Sequence, residues 1–269
     1  MTTQDYLPAG QRRFGMVNWL GLWTLYRKEV QRFFKVGIQT VLAPVVSTLL
    51  FLIVFKLALG RARPDINGIP FAEFLAPGLV MMAIITNAFA NTSSSIMMAK
   101  IQGNMVDVLM PPLSPGELTV AYVLGGATRG IIVAVVTILA MWPLVQLAPV
   151  HLWAMVFYAL IASILMSEIG ILTGIWAEKF DHMAVITQFL ITPLVFLSGT
   201  FYSVRMLPDI FVQLSWFNPF FYLIDGFRFG AVGTSDGSIA IGMAALTTLT
   251  VALGVACLLV LRSGWKLKT

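Results

Sequence analysis

Six runs of this chain are each apolar and long enough to cross a lipid bilayer, and that repetition constrains the fold more than any motif does. The first, residues 36–55, holds twenty residues without a charge. At about 1.5 Å rise per residue, such a helix matches a hydrocarbon core of about 30 Å. Lys56 follows directly and snorkels to the surface, extending the span to 36–59. Further spans are expected at 74–98, 118–145, 152–177, 183–201 and 239–261. The expected fold is therefore an all-α polytopic membrane protein, with residues 1–269 forming one transmembrane domain. A content of 58% hydrophobic and 11% charged residues excludes a water-soluble domain. Cys257 is the only cysteine, so the chain has neither an internal disulfide nor a cysteine-based metal site.

Six spans put both termini on one side, and the basic residues say which. Arg12, Arg13, Arg27, Lys28, Arg32, Lys35, Lys100, Lys179, Arg262, Lys266 and Lys268 fall on the terminal side, against Lys56, Arg61, Arg63, Arg205 and Arg228 opposite. The positive-inside rule makes the termini cytoplasmic. A net charge of +5 is accounted for by these flanks and anionic lipid, not by nucleic acid. Residues 14–35 carry Trp19, Trp23, Tyr26, Val30 and Phe33 at helical spacing, with most of the charges elsewhere on the wheel. They are expected to form an amphipathic interfacial helix, serving either as a surface anchor or in coupling. A cleaved signal peptide is rejected, because Asn18 and the RKEV run interrupt the apolar centre.

Residues 203–228, SVRMLPDIFVQLSWFNPFFYLIDGFR, lie between spans five and six but are too interrupted to be a span, since Pro208 and Pro219 both break a helix. Backbone freed in this way cannot face lipid, so short re-entrant helices are expected on the outer face, reading as a gate or vestibule. Candidate gate residues are Pro208, Asn218, Pro219, Asp225 and Arg228. Asp225 and Arg228 are three apart and suited to a local pair that supports the helix. At the opposite mouth, in a loop over 99–116, a helix is expected from Lys100 to Met110, where Ile101, Met105, Val108 and Leu109 repeat at helical spacing, and Pro111, Pro112 and Pro115 stop it. It is either a connector or a lever.

Arg129 and Glu168 lie inside the third and fourth spans, about 16 Å and about 14 Å from the cytoplasmic ends at a rise of about 1.5 Å per residue. An isolated charge in lipid costs about 3 kcal/mol or more, so an Arg129–Glu168 ion pair is expected, pinning structure or serving transport. The second span is polar in its last half, with Thr86, Asn87, Asn91, Thr92, Ser93, Ser94 and Ser95. That stripe is either interhelical glue or a pathway wall. Gly125, Gly126, Gly170 and Gly174 suit close helix packing. His151 and His182 are separated by the fourth span and cannot share a metal. Ser198 with Gly199 lacks the flanking glycines of an intramembrane serine protease, and no GxxxxGK[ST] loop is present to cradle ATP phosphates.

PPLSPGE at 111–117, GGATRGIIV around Arg129, AEKFDH at 177–182, PLVFLSGTFYSVRMLP at 193–208 and NPFFYLIDGFRFG at 218–230 together resemble the permease subunits of type-2 ATP-binding-cassette (ABC) transporters. The resemblance runs from the amphipathic helix to the last span. It implies a homodimer of six-span subunits in the bacterial inner (plasma) membrane, on two separately encoded ATPase subunits, exporting a substrate. It also implies that this chain binds no cofactor itself, ATP and Mg being held by the partner ATPase. The loop bearing Lys100, Gln102, Met105, Asp107, Leu109, Pro111 and Pro112 would then be the coupling helix seated on the ATPase, with Asp107 either paired to a basic partner residue or solvated. An ATPase-independent carrier or channel is the competing class. A membrane enzyme is disfavoured by the scarcity of histidine, cysteine and clustered carboxylates.

Overall fold

The computed structural model describes residues 16–59, 65–66 and 68–267. The expectations for Arg12, Arg13, Arg61, Arg63, Lys268 and the first two residues of the amphipathic segment lie outside the described residues.

Among the described residues, six helices are long and apolar enough to cross a membrane: Ile38–Ala58, Phe71–Ile101, Pro115–Met141, Leu152–Trp176, Phe180–Leu197 and Ile239–Ser263. In chain order the elements are α1 (Trp19–Lys35), a π-helical turn (Ile38–Leu42) running into α2 (Ala43–Leu59), and a two-stranded antiparallel hairpin of β1 (Asp65–Ile66) and β2 (Ile69–Pro70). Then follow α3 (Phe71–Ile101), α4 (Met105–Leu109), α5 (Pro115–Met141) and α6 (Leu152–Trp176). The fifth span is α7 (Phe180–Val185), a π-helical turn (Ile186–Ile191) and α8 (Thr192–Leu197). Beyond it lie α9 (Asp209–Trp216), α10 (Pro219–Val232) and α11 (Ile239–Ser263).

The limits differ from expectation where proline and capping decide them. α5 stops at Met141 rather than 145, two residues before Pro143. It begins at Pro115 because Ser114 closes a capping box with Glu117. Both π-helical turns come just before a proline, Pro44 or Pro193, whose ring and missing N–H disturb the regular ladder. Thr40 Oγ1 donates to Phe33 O at 2.9 Å, and Thr192 Oγ1 to Thr187 O at 2.9 Å, so hydroxyls take up carbonyls that the widened turns release.

α3 is the buried axis, packed between α5 and α6, with α10 against α3 and α6. Apolar helices gain no hydrophobic drive from meeting in lipid, so close approach through small residues holds them. Gly126 and Gly130 of α5 sit against Ser167 and Ser163 of α6, while Gly170 and Gly174 of α6 sit against the backbone of α3 at Phe89 and Ser93. The first, fifth and sixth spans are mostly exposed in the single chain. α1, α4 and the end of α11 lie at one end of the bundle, and α9 with the start of α10 toward the other.

Candidate functional site

At the α4 end, the loop between the second and third spans is tied to neighbouring helices. The expected helix from Lys100 breaks at Gly103, whose φ of +70° favours glycine, leaving α4 as five residues. Lys100 belongs to α3 and turns inward: it is 8% exposed, and its Nζ donates to Ile175 O at 2.6 Å and Ala177 O at 2.7 Å. An ammonium there satisfies carbonyls left over at the end of α6. Lys100 therefore joins α3 to α6 and offers nothing to a partner surface, correcting its expected coupling role. Met105 and Val108 are also buried, whereas Gln102, Val106, Asp107, Met110, Pro111 and Pro112 are exposed and Leu109 is half-buried. Val106 and Met110 were missed in the sequence because the spacing marks an apolar face without saying which side it meets.

α1 is fastened to the same loop. Asn18 caps α1 by accepting from Gly21 N at 3.0 Å, donates through Nδ2 to Pro112 O at 3.1 Å, and donates its backbone N–H to Glu117 Oε1. Between α1 and the loop lies a groove of about 360 Å³ lined by Thr24, Lys28, Asp107 and Pro111 among others. Trp19 and Trp23 of the apolar stripe stay exposed, while α1 buries Leu25, Glu29 and Phe33 against the bundle. Nearby, Lys266 Nζ lies 2.9 Å from Glu178 Oε1, and this hydrogen bond holds the exposed Glu178 carboxyl below the usual carboxylate range.

Glu29 explains which face of α1 turns inward. Its carboxylate accepts from Ser95 Oγ at 2.8 Å and lies 3.3 Å from Arg32, which itself donates to Asn91 O at 2.6 Å and Asn91 Oδ1 at 3.0 Å. One turn away, Arg129 Nη2 donates to Asn87 Oδ1 at 2.9 Å. Thr92 Oγ1 donates to Ser167 O at 2.9 Å. Much of the polar stripe of α3 is thus interhelical glue, shared among α1, α5 and α6.

The structure does not join Arg129 to Glu168. No ion pair forms between them, and Glu168 instead faces α11, where an added Cβ at Gly254 would lie 3.0 Å from its Oε1. Counting residues gives depth along a helix but not direction around it, and these two side chains point to different neighbours.

At the other end, Asn218 caps α10 by accepting from Phe220 N at 3.1 Å and donates Nδ2 to Leu194 O at 2.9 Å and Ser198 Oγ at 2.8 Å. Pro219 occupies the first turn of α10, and Pro208 precedes α9. Asp225 and Arg228 do not form the expected local pair. Asp225 accepts from Ser235 Oγ at 2.6 Å, Asp236 N at 2.7 Å and Gly237 N at 3.0 Å. Arg228 is 2% exposed, donates to Phe74 O at 3.3 Å and Gly199 O at 2.6 Å, and stacks 4.0 Å over the Phe74 ring. α9, by contrast, exposes Ile210, Phe211 and Leu214.

A family model described as ABC-2 type transporter matches residues 21–232. The chain is 34% identical over 255 residues to the inner membrane transport permease YadH of Escherichia coli, covering 93% of this chain and 98% of that protein. It is 25% identical over 242 residues to nodulation protein J of Sinorhizobium fredii, covering 87% and 88% of the two chains. With six membrane-length helices and a family match over most of its length, this chain belongs to the ABC-2 type transporter family.

Proposed function

We propose that this chain is the membrane-spanning subunit of an ATP-driven exporter. Two copies form the substrate pathway in the bacterial inner membrane, on two cytoplasmic ATPase subunits that bind ATP and Mg. Both termini and α4 face the cytoplasm, and α9 with α10 re-enters the membrane from the outer side near the exit. The name of the Escherichia coli relative supports the location and the transport role.

The feature that most supports this function is the frame beneath the α4 loop, whose exposed residues sit on segments bonded to several helices. Asn18 links the loop to α1, Glu117 links α1 to α5, and Lys100 links α3 to α6. Nucleotide does work on a membrane dimer only through contacts that differ between its two states. A push on Val106, Asp107 and Met110 would reach the spans through these bonds rather than being absorbed by a slack connector.

V106D and M110D, made together in the assembled complex, are expected to abolish stimulation of ATP hydrolysis by the permease and to stop export, while membrane insertion persists. ATPase assays on co-purified complexes and transport into inverted vesicles measure both. Undiminished export by the variant, or solute movement by the purified chain alone without nucleotide, would overturn the proposal.

A further inference from the structure

The junction of α1, α3 and α5 holds more positive charge than the chain neutralises. Arg32 has Glu29 at 3.3 Å, but among the described residues Arg129 has no acidic partner within 4 Å. Its bond to Asn87 is to a neutral oxygen, and its buried Nε has no acceptor. Asn91 is 0% exposed and its Nδ2 also lacks an acceptor, so the unused groups here are donors. A guanidinium among unfilled donors calls for an anion.

The geometry suits an oxyanion. Asn87 and Asn91, which hold the two arginines, are one turn apart on α3, about 6 Å along its axis. Guanidinium forks match the oxygens of phosphate. The Arg32 side chain is 32% exposed, and Thr86, Ala90, Ser94, Thr128 and Arg129 are half-buried, so a ligand reaches the outer edges of the two guanidiniums, while Arg129 Nε and Asn91 Nδ2 lie covered behind them. α3 spans about 46 Å at about 1.5 Å per residue, longer than a hydrocarbon core of about 30 Å. Arg32 meets Asn91 on the α4 side of the middle of α3, while Asn87 and Arg129 stand near the middle of α3 and α5, so the junction lies at hydrocarbon depth, where an anion arrives with an apolar tail attached.

We propose that Arg32 and Arg129, held one turn apart by Asn91 and Asn87, form a phosphate-binding site that takes the head group of an anionic amphiphile. Occupancy needs no ATPase, so failure of this site and failure of the transport function are separable. The test is binding to the purified full-length chain in neutral maltoside micelles, followed by native mass spectrometry. The probes are dihexanoyl phosphatidylglycerol, the matching phosphatidylcholine and inorganic phosphate.

Phosphatidylglycerol is expected to bind saturably and phosphatidylcholine far more weakly. R129Q should weaken phosphatidylglycerol binding about tenfold or more, as the loss of a charge-assisted hydrogen bond implies, and R262Q should not. N87D should weaken it equally without unfolding the chain, because it gives Arg129 an internal carboxylate in place of the ligand. Competition by inorganic phosphate with the same Arg129 dependence would identify a free anion as the source and overturn the amphiphile, and its absence would support a lipid. Wild-type affinity in both R129Q and N87D, or equal binding of the two lipids, would overturn the site.

Discussion

Replacing Arg228 with leucine is expected to destabilise the protein by about 3–5 kcal/mol, since two buried carbonyls lose their donor and a desolvated cation–π contact is lost with them. The carbonyls belong to Phe74 at the start of α3 and to Gly199 in the turn after α8, so one side chain of α10 binds two other spans. Gly199 has φ of +79°, a turn that points its carbonyl at the guanidinium. R228K keeps the charge but offers a compact ammonium where a planar fork now reaches both oxygens and lies over Phe74, and it should recover only part of the loss. Denaturant titration of the purified chain in micelles measures both. Wild-type stability of R228L would mean that the α10 end is held by its apolar packing alone.

How much of this was legible in the sequence depends on the kind of information each feature carries. The spans were readable because membrane thickness sets a length, and a run such as 36–55 meets it regardless of neighbours. Direction around a helix was not. Arg129 and Glu168 have matching depth, yet one meets Asn87 and the other faces α11. Lys100 has the look of surface charge in a loop, but the ends of α3 and α6 meet there and its ammonium satisfies carbonyls 75 and 77 residues away. Asp225 and Arg228 have the spacing of a local pair, but backbone donors and acceptors from other segments claim them first. Glu29 did carry a usable signal: a lone carboxylate three residues before Arg32, set against a stripe of asparagine and serine that needed partners.

That stripe works only while α3 and α6 stay close, and two glycines set their distance. An added Cβ at Gly170 would lie 2.7 Å from Phe89 O and 3.2 Å from Ser93 N, and one at Gly174 would lie 2.9 Å from Ser93 O. These neighbours are backbone atoms of a buried helix and cannot rotate away. G170A and G174A are each expected to cost about 1–3 kcal/mol by overpacking, and G170L to prevent folding. Because the two positions share one seam, the double alanine variant should depart from additivity: once one methyl has pushed the helices apart, the second meets less resistance. Separation would also stretch the 2.9 Å bond from Thr92 to Ser167, loosening the turn that carries Asn87 and Asn91. G37A is the control, since no atom lies within 4 Å of its added Cβ and its backbone is already helical, and it should leave stability unchanged or raise it by about 0.4–1 kcal/mol. Thermal unfolding of the alanine variants in micelles separates these outcomes, and a G170A protein as stable as G37A would show that α3 and α6 are not in contact at this seam.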